Sequence, residues 1–117
     1  MAVEGYFNQD CKKLRNQFDT ISPHYSKLLT AFIDYLQHKN IEVIFFISPY
    51  HPLVYNHFQN AKEYKIIIET EKFYTQLAKD KNIKIVGTYN PAKLGLSNSA
   101  FYDGPHCKYE ALQSIWK

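Results

Sequence analysis

Apolar residues recur at helical spacing in the first well-patterned part of the chain. Ser22 followed by Pro23 is typical of a helix start, because the hydroxyl caps free backbone N–H groups and proline lacks an N–H that the first turn leaves unpaired. The apolar positions that follow repeat every three or four residues, which predicts an amphipathic helix ending near residues 38–40. Its predicted inward stripe is Tyr25, Leu28, Leu29, Phe32, Ile33 and Leu36.

Two short apolar runs farther along have the composition of buried strands. Residues 41–48, IEVIFFIS, are mostly β-branched or aromatic, and residues 83–89, IKIVGTY, form the second run. Pro49 and its neighbours in SPYHP cannot continue a strand, so the chain is expected to turn there. A helix predicted over residues 60–81 joins the two runs, and this order predicts a parallel βαβ unit.

The two ends of the chain carry weaker patterns. CKKLRNQF, residues 11–18, could open a short helix with Leu14 and Phe18 on one face. The last stretch, residues 107–116, predicts a closing amphipathic helix. No internal repeat or linker-like segment is present in the sequence, so residues 1–117 are interpreted as one α/β domain.

Two apolar parallel strands would leave at least one edge of the sheet bare. Such sheets normally contain several strands, and a bare apolar edge tends to pair with another strand. We therefore expect further strands before Met1 or on a partner, with self-association through this edge as another outcome. The alternative is a small domain of two or three strands in which residues 1–10 form the edge.

Composition and charge exclude several classes of function. The chain has 117 residues, of which 45% are hydrophobic and 21% charged, as expected for a small globular domain. The net charge of +3 is spread over single lysines, which argues against a nucleic-acid partner. No apolar run approaches the ~20 residues of a membrane helix, and no leader-like segment is evident. Cys11 and Cys107 match no metal or redox spacing, so we expect free thiols or one bridge, and neither metal nor cofactor.

The strongest chemical candidates follow the two predicted strands, where open α/β sheets place their sites. Asp103 and His106 lie three positions apart on a Gly-Pro turn, so the carboxylate could hold the imidazole Nδ1–H and leave Nε2 as a general base. A helix start directly after His106 would oppose protonation of that base. The alternative is an ordinary polar turn. After the first strand, Tyr50 and His51 form a rigid corner between prolines and could line a substrate pocket.

The other polar candidates have weaker support. Ser48, Ser97 and Ser99 lie near the predicted cleft, but none occupies a nucleophile elbow. Cys107 follows His106 directly, although adjacency in sequence does not aim its thiol at the imidazole. The remaining histidines have no partner at metal-ligating spacing and are expected at the surface: His24, His38 and His57.

The closing segment FYDGPHCKYEAL resembles the final block of the SGNH/GDSL hydrolases, in which Asp-x-x-His precedes the last helix. The preceding strands and helix resemble the last two strands of the same flavodoxin-like, three-layer α/β fold, in particular in bacterial members linked to acyl chemistry of cell-surface polysaccharide or teichoic acid. The likeness covers residues 22–117, the C-terminal half of such a domain. It implies Asp103 as orienting acid, His106 as base and an acyl ester as substrate, such as an O-acylated surface carbohydrate. Members of this kind often act outside the cytoplasm, but the chain carries no signal for any compartment.

The chain also departs from that family in the motifs that supply the nucleophile and the oxyanion hole. No Gly-Asp-Ser nucleophile block and no oxyanion-hole Gly-x-Asn-Asp block occurs in the sequence. Without a nucleophile and oxyanion donors we expect the chain alone to be a poor or inactive esterase. Two hypotheses follow: the C-terminal part of an SGNH-type esterase or acyltransferase that supplies the Asp-x-x-His pair, or a non-catalytic α/β fragment or interaction module that pairs through its sheet edge.

Overall fold

The computed structural model of the protein describes residues 20–116. This part of the chain is mixed α/β, mostly helical, with one parallel sheet of two strands. The elements in chain order are helix α1 (Pro23–His38), strand β1 (Ile44–Ile47), helix α2 (Pro52–Asn60), helix α3 (Lys65–Lys81), strand β2 (Lys84–Gly87) and helix α4 (Tyr109–Ile115). Short 3₁₀ turns cover Lys62–Tyr64, Pro91–Leu94 and Asn98–Ala100.

Helix α1 begins as its sequence predicts. The Ser22 hydroxyl accepts a hydrogen bond from the Tyr25 N–H at 3.3 Å, and Pro23 occupies the first helical position. The predicted stripe is wider than the face that the fold covers, because Ile33 is buried and Leu29 and Leu36 are half-buried, whereas the other members are exposed. The exposed members of the stripe are Tyr25, Leu28 and Phe32.

The parallel pair of strands forms as predicted, although both strands are shorter than the apolar runs. Ile44 pairs with Lys84 at one end and Ile47 with Gly87 at the other. One face of this sheet packs against α1 and α3 through a buried cluster of Ile33, Leu77, Ala78 and Ile83, joined by Phe45 and Ile85. Lys81 ties the two helices together, because its Nζ lies 2.6 Å from Asp34 and its carbonyl accepts from Gln37.

The C-terminal segment packs against part of the opposite face of the sheet. Phe46 stacks on Trp116 with ring centroids 5.3 Å apart and planes 18° apart. Within residues 20–116, β1 pairs only with β2, so its second edge carries no strand. Ile44 and Phe46 remain partly exposed beside that edge. Among residues 20–116 this edge is therefore unpaired, and the alternative edge strand at residues 1–10 lies outside the described residues.

Helix α2 corrects the prediction for the segment after β1. The sequence pattern places a turn at SPYHP and a single helix over residues 60–81, but a separate helix starts at Pro52 and buries Val54, Tyr55 and Phe58. Pro52 is the first residue of this helix and not part of a turn, because the first helical position needs no backbone N–H. The following helix, α3, therefore begins at Lys65 and not at residue 60.

The C-terminal helix also starts later than predicted. Cys107 forms an isolated antiparallel bridge with Phe101, which holds it in extended backbone, so α4 runs over Tyr109–Ile115 instead of residues 107–116. The Cys107 thiol is buried and free, and burial raises its pKa. Cys11 and the short helix predicted at CKKLRNQF lie outside the described residues.

Candidate functional site

The loops that follow the two strands meet at the carboxyl end of the sheet. Two consecutive backbone N–H groups of the corner after β1 donate to carbonyl groups beyond β2: Tyr50 to Tyr89 at 3.1 Å, and His51 to Gly104 at 2.7 Å. Gly104 is part of the turn that carries Asp103 and His106. The polar residues predicted after each strand are therefore in one region, as the parallel topology requires.

Asp103 and His106 are in direct contact. The imidazole Nδ1 lies 2.7 Å from one carboxylate oxygen and 2.9 Å from the other. The same carboxylate accepts the backbone N–H of His106 at 2.9 Å. The turn is closed by the Tyr102 N–H, which donates to the His106 carbonyl at 2.9 Å. With a proton on Nδ1, the ring donates to Asp103 and presents an unprotonated Nε2, the geometry of a base and its orienting acid.

This pair faces outward. The His106 side chain is 70% exposed and the Asp103 side chain 33% exposed. No described residue forms a hydrogen bond with Nε2, so this nitrogen is accessible to a reacting group. Water around the pair weakens its electrostatic coupling compared with a closed active site. The pair has the arrangement of a base and orienter without the enclosure in which such groups work best.

The helix expected directly after His106 is displaced. Helix α4 starts at Tyr109 with Lys108 at its N-cap, and no side chain caps it. Cys107 and Lys108 therefore separate the imidazole from the helix terminus, and the predicted opposition of a helix dipole to protonation has no direct geometric support.

Tyr50 and His51 are packed against neighbouring elements to different depths. The Tyr50 ring is half-buried and meets Phe58 edge-on, with ring centroids 4.9 Å apart. His51 is only 2% exposed, and its Nδ1 accepts the Leu53 N–H at 3.1 Å, which caps α2. Burial lowers the pKa of His51, in keeping with a neutral ring whose proton is on Nε2. The substrate-binding role predicted for this corner stays a prediction.

Glu71 organises the loop after β2 and was not among the sequence candidates. Its carboxylate accepts the Thr88 hydroxyl at 2.8 Å and the Tyr89 backbone N–H. Burial, aided by nearby Tyr50, Tyr74 and Glu71, raises the pKa of Tyr89 to about 12, so this phenol stays protonated at neutral pH. The helical pattern gives Glu71 no special signal, because its partners lie on a different element.

The serine candidates form no hydrogen bond with the Asp103–His106 pair within the described residues. Ser97 and Ser99 bond to each other through their hydroxyls at 2.9 Å, and no hydrogen bond within residues 20–116 links them or Ser48 to His106. No group of three or more His, Cys, Asp or Glu in the described part of the chain could hold a metal ion. The described helices include none whose length and hydropathy would let it cross a membrane.

Comparisons with known proteins add no relative to these observations. The chain matches no protein-family model, no curated protein and no solved structure.

Proposed function

We propose that the chain supplies the acid–base pair of an SGNH-type esterase or acyltransferase acting on acyl esters. The observation that carries this proposal is the contact between His106 Nδ1 and both oxygens of Asp103, at 2.7 and 2.9 Å. Its place beside the corner after β1, at the carboxyl end of a parallel strand pair, supports a flavodoxin-like domain as the setting. An O-acylated carbohydrate is the substrate class that we expect.

In this proposal the two residues have separate roles. Asp103 accepts the Nδ1 proton, holds the ring in one tautomer and stabilises the imidazolium. His106 Nε2 takes a proton from the attacking hydroxyl and later returns it to the alcohol that leaves the ester. The attacking hydroxyl must come from outside this pair, because no Gly-Asp-Ser block occurs in the sequence. The chain's share of the chemistry is therefore the base and its orienter.

The first prediction concerns hydrolysis of p-nitrophenyl acetate by the purified chain, followed by release of nitrophenolate. We expect slow hydrolysis, because a positioned base is worth about 10²- to 10⁴-fold only within a complete site. His106→Ala is expected to remove most of the rate above buffer, and Asp103→Asn much of it as well, since an amide that donates to Nδ1 leaves the ring proton on Nε2, where the base is needed.

His24→Ala is the matched control for this assay. His24 is also an exposed histidine, and it lies on α1. Its removal should leave the rate unchanged. Equal rates for the wild type and His106→Ala would argue against a base at this position. Rapid turnover that depends on His106 would instead show that the chain carries a nucleophile of its own.

A second candidate function has support from a different observation. In residues 20–116, the outer edge of β1 has no strand partner, and a groove of about 410 Å³ runs along it, lined by Ile44, Phe45, Phe46, Ile47, Ser48, Tyr74 and Tyr89. Consecutive strand residues point to opposite faces, so a groove lined by five in a row follows the edge itself. Such an edge suits an interaction module that pairs with another strand.

The second prediction tests this candidate by sedimentation. Ile44→Lys places a charge on the open edge and is expected to reduce self-association of the purified chain at high concentration, because charged residues block edge pairing. Thr75→Lys adds the same charge to an exposed position of α3 and should have no effect. A wild-type chain that stays monomeric throughout, or two variants that behave alike, would count against pairing through β1.

A further inference from the structure

The corner after β1 is attached to the turn that carries Asp103 and His106. His51 donates its backbone N–H to the carbonyl of Gly104 at 2.7 Å, which is a short bond for an N–H donor. Gly104 is buried and lies directly after Asp103. The position of the turn relative to the sheet therefore depends on where the His51 backbone points.

The His51 side chain fixes that backbone. Its Nδ1 accepts the Leu53 N–H at 3.1 Å, so the residue is the N-cap of α2, with φ −55° and ψ 140°. An N-cap bond satisfies a free N–H of the first turn and holds the capping residue in extended backbone. Pro52 at the next position restricts the corner further.

The same ring also supports the segment that leads into the turn. The His51 and Phe101 rings lie 5.5 Å apart between centroids, and Phe101 is buried. Phe101 pairs with Cys107 across the base of the turn, and the two bracket Asp103 and His106 in the chain. His51 thus contacts the turn through its backbone and the base of the turn through its ring.

We propose that His51 is a positioning residue for the Asp103–His106 pair. A buried, neutral imidazole at this corner caps α2 with Nδ1, aims its own N–H at Gly104 and packs against Phe101. In the described part of the chain, no hydrogen bond joins its side chain to Asp103 or His106. The catalytic meaning of this role rests on the function proposed above, whereas the structural link itself does not.

Replacements at His51 separate its two contributions. Alanine removes both the acceptor for the Leu53 N–H and the ring against Phe101. Asparagine is a favoured N-cap residue and restores an acceptor without the ring. Ser22→Ala is the matched control, because it removes the side-chain N-cap of a different helix, α1.

The test is NMR of the full chain labelled with ¹⁵N in its histidine rings. Ring nitrogen shifts show which nitrogen of each imidazole carries the proton. In the wild type we expect His106 to hold its proton on Nδ1, against Asp103. We expect His51→Ala to lose this preference, so that both tautomers are populated, and His51→Asn to recover part of it. Ser22→Ala should leave the His106 signals as they are.

Unchanged His106 signals in His51→Ala, or an equal change in Ser22→Ala, would overturn the proposal. Should His51→Ala fail to fold, Phe101→Leu removes the ring contact and keeps the cap, so unchanged His106 signals in that variant would overturn it as well. Ester hydrolysis plays no part in this measurement. A tautomer change without any base activity would therefore reject the proposed function and retain the positioning role, and the reverse result would do the opposite.

Discussion

Replacement of Gly87 by alanine is expected to lower the free energy of unfolding by more than about 3 kcal/mol. Gly87 has φ +85°, a left-handed conformation that costs any residue with a Cβ. A Cβ at this position would also lie far inside contact distance of the Ile47 carbonyl oxygen, in the strand paired with it. Because that oxygen belongs to the backbone of β1, relief of the clash would require the two strands to separate.

Gly95→Ala is the matched control for this prediction. Gly95 also has a positive φ, +68°, but a Cβ there would meet nothing within 4 Å. Its alanine variant carries the conformational cost without the clash, about 1 kcal/mol. Urea unfolding followed by circular dichroism gives both values. If the two variants lose equal stability, the close approach of β2 to Ile47 contributes nothing.

Phe58→Ala is expected to cost about 3–5 kcal/mol of folding free energy, the range for removal of a fully buried phenylalanine. Phe58 is 1% exposed and packs with Val54 and Tyr64 in the cluster formed by α2 and the following turn. It also meets the Tyr50 ring edge-on. Its loss would leave a cavity directly below the corner that joins β1 to α2.

Leu53→Ala on the same helix provides the comparison. Leu53 is 50% exposed, so its truncation should cost less than about 1 kcal/mol. Thermal or urea unfolding of both variants measures the difference. Similar small losses would mean that α2 is not part of the core and that the packing around Phe58 is not as the structure has it.

The elements with a local, repetitive signal were the ones that the sequence predicted. Helix α1 has a cap, a proline at its start and a long apolar stripe, and the parallel strands lie in short apolar runs rich in β-branched and aromatic residues. The sequence does not predict helix α2, because Pro52 is equally compatible with the end of a strand and with the first turn of a helix. Only the cap that His51 supplies, and the burial of Val54 and Phe58, decide between the two.

The candidate site could likewise be predicted only in part from the sequence. The contact between Asp103 and His106 could be expected from the sequence, because the two residues are three apart on one turn. The burial of His51 and the role of Glu71 could not, because both depend on partners brought close by the fold. The predicted apolar stripe of α1 is partly exposed for the same reason. Periodicity identifies an apolar face of a helix, but it does not show which element packs against that face.

The two hydrogen bonds from the corner after β1 also set an order of assembly. The Asp103 turn closes between near neighbours, so it can form early and repeatedly in a chain that is otherwise unfolded. The bonds from Tyr50 to Tyr89 and from His51 to Gly104 close long loops, and their entropic cost is recovered only once β1 and β2 are paired. The acid–base pair is therefore expected to form only transiently in the unfolded chain, and to become persistent once the bond from His51 to Gly104 is made in the last stage of folding.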